Sequence, residues 1–372
     1  MQAENVPSTL TDLLVMLGDV GSSFPEQILG RVREAIALDI VAKGVALDAI
    51  DRVIVSTNRR SFLTKLSQLP VDVVLDYPDE PFHFGRQLAT VIDECASQCV
   101  FYIGGGAAPL LSLEQFAAMI RSLQEAPNRL VTNNLYSSDM VGFHTEWLKR
   151  IELPSRDNDL AWKLAQIGDL DVRQPPRSVG TSFDVDTITD VLILTMCAGL
   201  GGHTREAVQA LDLDTRRLRA ALDCLKDPAA RVLLIGRASS DLWWTMQRRA
   251  RCRLGLIVEE RGMRASGRLA RGEVRSLVGI YAGRFGYRRL FEYLAGAADA
   301  VFVDSRVLFA HLVDWPSDAD RCYSDLSMPE RISDPAIREL TEAALDAPIP
   351  VVMGGHSLMA GGMLALLDAS GL

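Results

Sequence analysis

Four groups of residues in this 372-residue chain have the types and spacing to do chemistry. The first is Gly18-Asp19-Val20-Gly21-Ser22-Ser23, which runs into Pro25. Proline suits the first turn of a helix, and a glycine loop there can turn backbone N–H groups toward a phosphate. A tight turn needs glycine for backbone freedom alone, so both readings of Gly18, Gly21 and Ser22 stand. Gly104-Gly105-Gly106 poses the same choice with more glycine than a turn requires, and all three are candidate nucleotide contacts. The third group is Asp184 and Asp186. Two apart, they face one side of an extended segment and can converge on one cation or a ribose, as catalytic or Mg²⁺-binding carboxylates. The competing role there is capping, since Thr187-Ile188-Thr189-Asp190 has the capping-box form. Asn133, Asn134, Tyr136 and Ser138 add amides and hydroxyls fit for a base or a sugar, and equally common in solvated loops.

The fourth group lies in the C-terminal half. Arg237, the run Glu259-Glu260-Arg261-Gly262-Met263-Arg264, Asp304-Ser305-Arg306 and Gly354-Gly355-His356-Ser357 each follow an apolar run. Open α/β sheets hold their ligands at strand ends of that kind. Arg237, Arg261, Arg264 and Arg306 are therefore candidate ligands for an anionic small molecule, because guanidinium forks match phosphate and carboxylate. His356 is a candidate general base. The glycine pair before it is expected to let a ligand approach the backbone. The alternative is an arginine face with internal salt bridges and a structural histidine. Residues 245–290 hold twelve arginines, no lysine and three acids, Glu259, Glu260 and Glu273, so the region is strongly basic.

These groups need elements to position them. Residues 13–17, 52–56, 71–75, 100–103 and 129–132 read as short buried strands, brief and rich in β-branched residues. Helical spacing follows from Pro25 onward, over 60–68, over 85–95 and over 113–123, the last with Ser112 as its N-cap. Such βαβα order predicts an α/β fold with a mostly parallel, helix-covered sheet. After Gly199-Leu200-Gly201-Gly202 a second α/β unit is expected, with strands at 231–235, 254–258, 300–304 and 350–353. The expected division is residues 1–200 and 201–372, the latter carrying an arginine-rich cleft.

The first half also resembles a known family. Asn158-Asp159-Leu160-Ala161-Trp162 and the run 178–190 are similar to the closing part of small nucleotidyltransferase domains, the molybdenum-cofactor and phospholactate guanylyltransferases. Asp184 to Val191 resembles their Asn/Asp-Ile/Val-Asp/Asn-Thr-x-x-Asp-Leu element. Residues 104–109 resemble their central Gly-Asp-x-Pro loop, and 17–22 their opening glycine loop. The resemblance spans residues 10–195 and leaves the second half unassigned. It implies a Rossmann-like nucleotidyltransferase fold, a nucleoside triphosphate, Mg²⁺ and transfer of a nucleotidyl group to a small phosphorylated or acidic acceptor. Two departures stand out. Ala107 occupies the place of the family's metal-binding aspartate, and the opening loop lacks a basic residue, with Arg31 and Arg33 lying further on.

Composition bounds the rest. A net charge of −9 disfavours a general nucleic-acid binder. Six scattered cysteines, with only Cys95 and Cys99 close in sequence, do not form a zinc set. No membrane span is expected, and a cytoplasmic location is the default reading. Nucleotidyl transfer is the leading expectation. A nucleotide- or anion-binding regulator with a degenerate metal site, and glycosyl transfer from a sugar nucleotide, are the alternatives.

Overall fold

The computed structural model describes residues 10–76, 82–264, 266–312 and 315–372. The chain begins with β1 (Thr11–Leu17), α1 (Phe24–Val45), β2 (Ile50–Thr57), α2 (Arg60–Leu66), β3 (Asp72–Leu75) and α3 (Phe84–Glu94). It continues with β4 (Cys99–Gly104), α4 (Leu113–Gln124), β5 (Arg129–Thr132), β6 (Met140–His144), α5 (Leu160–Ala165), β7 (Asp171–Arg173) and α6 (Val179–Ser182). The seven strands form one sheet in the order β3-β2-β1-β4-β6-β5-β7. All neighbours are parallel except β6, which runs antiparallel to both β4 and β5. Every residue of β1 is buried, as expected of a central parallel strand covered on both faces. Leu14, Val100, Tyr102, Leu130, Val141 and Phe143 pack against Leu88 and Val91 of α3 and Leu160 and Leu164 of α5.

The second sheet follows α7 (Ile188–Leu194), α8 (Gly202–Gln209) and α9 (Arg216–Lys226). Its elements are β8 (Arg231–Gly236), α10 (Ser240–Arg249), β9 (Arg253–Val258), α11 (Leu277–Phe285), α12 (Tyr287–Ala297) and β10 (Ala300–Asp304). Then come α13 (Ser305–Leu312), α14 (Asp318–Asp325), α15 (Pro335–Leu345), β11 (Val351–Gly354) and α16 (Gly361–Ala369). Four parallel strands lie in the order β11-β10-β8-β9. Ile235, Val301 and Val303 form a core with Phe291, Leu294, Leu340 and Ala344. The fold class is thus the expected one, α/β with a mostly parallel sheet and a second parallel sheet.

The chain falls into two compact units, but not by one cut at residue 200. The first comprises residues 1–19, 33–182 and 201–204, the second 20–32, 183–200 and 205–372. Local chemistry explains the exchange. All seven residues of α7 are buried, and Thr189 Oγ1 donates to the Met353 carbonyl at 2.8 Å, tying α7 to the otherwise open edge of β11. Residues 201–204 return to the first unit because the Asp39 carboxylate accepts the His203 and Thr204 N–H groups at 3.1 and 2.8 Å.

Strand β6 was not legible as a strand. It is short and interrupted by Gly142, where a Cβ would lie 2.8 Å from both Leu123 and Phe101 side chains. Phe143 beside it is 0% exposed. Phe143→Ala is expected to destabilise the first unit by about 3–5 kcal/mol, read by urea unfolding; a cost below about 1 kcal/mol would show that β6 does not anchor this core.

Candidate functional site

The first sheet reverses its strand order between β1 and β4, and ligands of open α/β sheets sit outside the carboxyl ends at such a point. The two glycine loops of the first unit start there. The Gly105 N–H donates to the Met16 carbonyl at 2.9 Å, so the loop after β4 stays joined to the end of β1. Thr57 Oγ1 donates to the Leu17 carbonyl at 2.7 Å, fixing the chain just before Gly18. A cation also stands at the opening loop, supplied by a segment the sequence did not indicate. Arg59, after β2, pairs with Asp19 at 2.7 Å and with Glu34 at 2.8 Å. Burial pushes the Glu34 carboxyl up, but hydrogen bonds from Lys65, Ser61 and Arg59 outweigh it together and hold the group below its usual range.

The glycines divide by what the fold requires. A Cβ at Gly105 would lie 2.5 Å from the Leu17 side chain, so packing alone dictates glycine there. Gly18 is exposed, and a Cβ there would meet nothing within 4 Å; at Gly104 the nearest atom would be the Tyr102 hydroxyl at 3.5 Å, an ordinary contact. Gly106 is buried. The fold therefore does not demand glycine at 18 or 104. Under Gly104, buried Tyr102 donates from its hydroxyl to Asp157 Oδ2 at 3.0 Å, and burial together with Asp157 and Asp139 raises its pKa. Arg33 lies within electrostatic reach of that hydroxyl, with its Nε buried and without a hydrogen-bond partner.

Other candidates take structural roles. Gly21 and Ser22 belong to the second unit, whereas Gly18 and Gly104–Gly106 belong to the first. Gly21 has φ +104°, which explains its glycine. The Glu26 carboxylate folds over Gly21 and accepts the Ser23 N–H at 2.9 Å, so the start of α1 already holds an anion of its own. Asn133 accepts the N–H groups of Asp139 and Met140 and donates to Asp139 and the Thr181 carbonyl, which commits its whole amide to the backbone turn. Asn134 accepts the Tyr136 N–H, and buried Ser138 donates to the carbonyls of Asp157 and Asn158. Tyr136 is exposed and packs on Trp162 with ring centroids 5.1 Å apart.

Ala107, at the position where an aspartate was expected to ligate Mg²⁺, offers no side-chain oxygen to a cation. Ala107 is buried at 4% exposure, its methyl in the core. Among the described residues no group of three or more His, Cys, Asp or Glu side chains is arranged to hold a metal ion. Asp184 and Asp186 lie in the second unit, half-buried and exposed, while Phe183 before them and Val185 between them are buried. Capping in this segment falls to Asp190. Its Oδ2 accepts the N–H groups of Asp186 and Thr187 at 3.1 and 2.7 Å and the Thr187 hydroxyl at 2.8 Å, while Ser357 Oγ donates to Oδ1.

The second sheet reverses order between β8 and β10, and residues after its strands come together there. Arg237, after β8, forms a fork on Asp304 at the end of β10, with Nε–Oδ2 2.5 Å and Nη2–Oδ1 3.0 Å. Asp304 is buried; burial would raise its pKa, but Arg237, His356 and Arg306 overcome this and hold it below its usual value. Gly236 has φ +146°, and a Cβ there would lie 2.4 Å from that of Asp304, so glycine lets the two strand ends close. His356, after β11, has Nδ1 buried without a partner. Its pKa is pushed down to about 4, by burial first and by Arg237 and Arg261, against the opposing pull of Asp304 and Asp186. The imidazole is neutral at pH 7. Thus Arg237, Arg261, Asp304 and Asp186 lie within electrostatic reach of His356.

Several expected anion ligands are not free. Arg306 is buried and forms a two-pronged pair with Asp325 at 2.9 and 2.8 Å. Arg264, in the turn after β9, lies over Trp315 at 4.9 Å, as does Arg321 of α14. Glu260 accepts Arg268, and Glu273 accepts Arg271 at 3.0 Å, so two of the three acids of the basic stretch are spent on local ion pairs. The glycine pair before His356 has a packing cause. A Cβ at Gly354 would lie 2.8 Å from Thr189, and one at Gly355 2.6 Å from Thr187. The expectation that a ligand requires this pair is corrected accordingly.

No family model matches the chain, and no curated protein does. Among solved structures it is similar to a cytidylyltransferase from Leptospira borgpetersenii, at 12% identity and TM-score 0.40, over 55% of this chain and 98% of that one. It is also similar to a 4-diphosphocytidyl-2C-methyl-D-erythritol synthase from Anaerococcus prevotii, at 16% identity and TM-score 0.33, over 45% and 87%. A third is a CMP:2-keto-3-deoxy-manno-octonic acid synthetase complexed with CTP, at 8% identity and TM-score 0.34, over 45% and 89%. No described helix is long and apolar enough to cross a membrane.

Two outcomes test the second cluster. Gly236→Ala is expected to cost at least about 2 kcal/mol, because strain and overlap with Asp304 add; an unchanged thermal midpoint would contradict the close approach. Burial pushes the Asp190 carboxyl up to about 7, against the hydrogen bonds from Ser357 and Thr187. The folded chain therefore holds a proton that the unfolded chain releases near pH 4, and this contribution is full at low pH and lost as pH rises through about 7. Asp190→Asn should gain stability relative to the parent between about pH 5 and pH 8, measured by denaturant midpoints; a pH-independent difference would refute the shift.

Proposed function

We propose that the first unit binds a nucleoside triphosphate at the β1–β4 reversal and transfers its nucleotidyl group to a small phosphorylated or acidic acceptor. The observation that carries this reading is the pair Gly18 and Gly104. Each follows one of two adjacent parallel strands, and neither owes its glycine to packing or to a left-handed backbone. Close approach of a ligand to the backbone accounts for both. In the transfer, an acceptor oxygen would bond to the α-phosphorus as the bond to pyrophosphate breaks. Arg59 and Arg33 are the cations of the first unit placed to meet phosphate charge, once Arg59 exchanges Asp19 for the ligand.

A second reading has an observation of its own. Ala107 and the lack of a metal-holding cluster among the described residues favour a unit that binds nucleotide without transfer. One experiment separates them. Thermal shift with a panel that includes CTP, GTP and a sugar nucleotide identifies binding, and pyrophosphate release in the presence of candidate acceptors identifies transfer. Binding with pyrophosphate release supports transfer, and binding alone supports the second reading. Stabilisation by the sugar nucleotide alone would shift the reading to glycosyl transfer. Gly18→Leu is expected to leave the unliganded midpoint unchanged and to weaken triphosphate binding at least about tenfold, by filling the space over the loop. Undiminished binding in that variant would contradict the placement of the ligand.

A further inference from the structure

Arg237, Glu259, Asp304 and Gly355-His356 lie at or just after the carboxyl ends of the four strands of the second sheet; Arg237 is bonded to Asp304, and the Glu259 N–H donates to the Gly236 carbonyl at 2.8 Å. Asp304 is spent on orienting Arg237: both its oxygens are engaged by the guanidinium, and Oδ1 also accepts the Arg306 N–H at 3.3 Å. That fork leaves Nη1 of Arg237 unused among the described residues, on a side chain 17% exposed. Arg261 is exposed and forms no ion pair among the described residues, yet lies close enough to His356 to depress it. His356 itself makes no hydrogen bond to described residues, and with Nδ1 sealed, Nε2 is the nitrogen open to a ligand. Glu259 faces the same cluster from β9, but it is occupied by the Ser276 hydroxyl at 2.8 Å.

We propose that this carboxyl edge, at the reversal between β8 and β10, is a binding site for a small phosphorylated molecule, with Arg261, the free Nη1 of Arg237 and Nε2 of His356 as its ligands. A pre-oriented guanidinium loses little freedom on binding, and a second, exposed arginine adds charge-assisted hydrogen bonds. Phosphate is favoured over a monocarboxylate because Arg237 and Arg261, which follow different strands, offer two guanidinium groups, and a dianion uses both. Neutral His356 adds a hydrogen bond without adding charge. The inference does not depend on the reading of the first unit.

The test uses the full chain and inorganic phosphate, followed by the NMR signals of His356. Phosphate is expected to perturb the His356 ring signals saturably and to raise its pKa, since an anion favours the imidazolium. Arg261→Ala, an exposed position, should leave the fold intact and weaken this response roughly 10- to 100-fold. His356→Gln, which keeps an N–H donor, should retain binding, read by calorimetry. Glycerol phosphate replacing inorganic phosphate at equal or better affinity identifies a phosphate ester as the ligand class. Ring signals unmoved by phosphate, or a response equal in Arg261→Ala, would overturn the proposal.

Discussion

Parallel pairing at the centre of each sheet is the constraint on which the rest depends. β1 lies between β2 and β4 with every residue buried, and β8 lies between β9 and β10 in the second sheet. A parallel strand cannot turn straight back into its neighbour, so helices must cross over and the strand order must reverse somewhere. At each reversal two strand ends lie side by side with their loops diverging, which opens a crevice. The residues with unexplained chemistry collect at these two places: Gly18 and Gly104 in one, Arg237, Arg261 and His356 in the other.

Buried polar groups then decide how those ends are held. Asp304 is wholly buried and paired with Arg237, and Asp325 with Arg306, each by two contacts. Breaking one partner of such a pair leaves an uncompensated buried charge, so these arginines are restrained before any ligand arrives. Asp190 does similar work, gathering the turn before α7 and the Ser357 hydroxyl onto one carboxyl. Arginine that is pinned by a carboxylate orients, whereas Arg261, which has no such partner among the described residues, is the arginine proposed as a ligand.

The strand–helix order was legible because buried parallel strands are short continuous apolar runs, and 129–132 and 300–304 match the observed strands to the residue. The capping box of Ser112 and Gln115 was legible in part from its N-cap. Strand β6 was hidden by Gly142 and by a direction that sequence pattern does not encode, and α12, α14 and α16 were hidden in stretches without clear punctuation. The candidate sites were legible as strand ends but not as partners. Sequence offers no sign that Asp304 reaches Arg237 across 67 residues or that Arg306 is spent on Asp325. Nor does it reveal that Gly354 and Gly355 serve two threonines, because such close approaches exist only in the packed chain.

The central claim is that a nucleotide sits on the glycines at the β1–β4 reversal. Hydrogen exchange of the full chain, with and without saturating CTP or GTP, tests this most directly because a ligand resting on the two loops shields their backbone and holds their hydrogen bonds closed. The account predicts slowed exchange in peptides covering 18–19 and 104–107, with little change in the N-terminal half of β1, which is already buried. Unchanged exchange in both loops, under conditions where the nucleotide stabilises the protein, would contradict it.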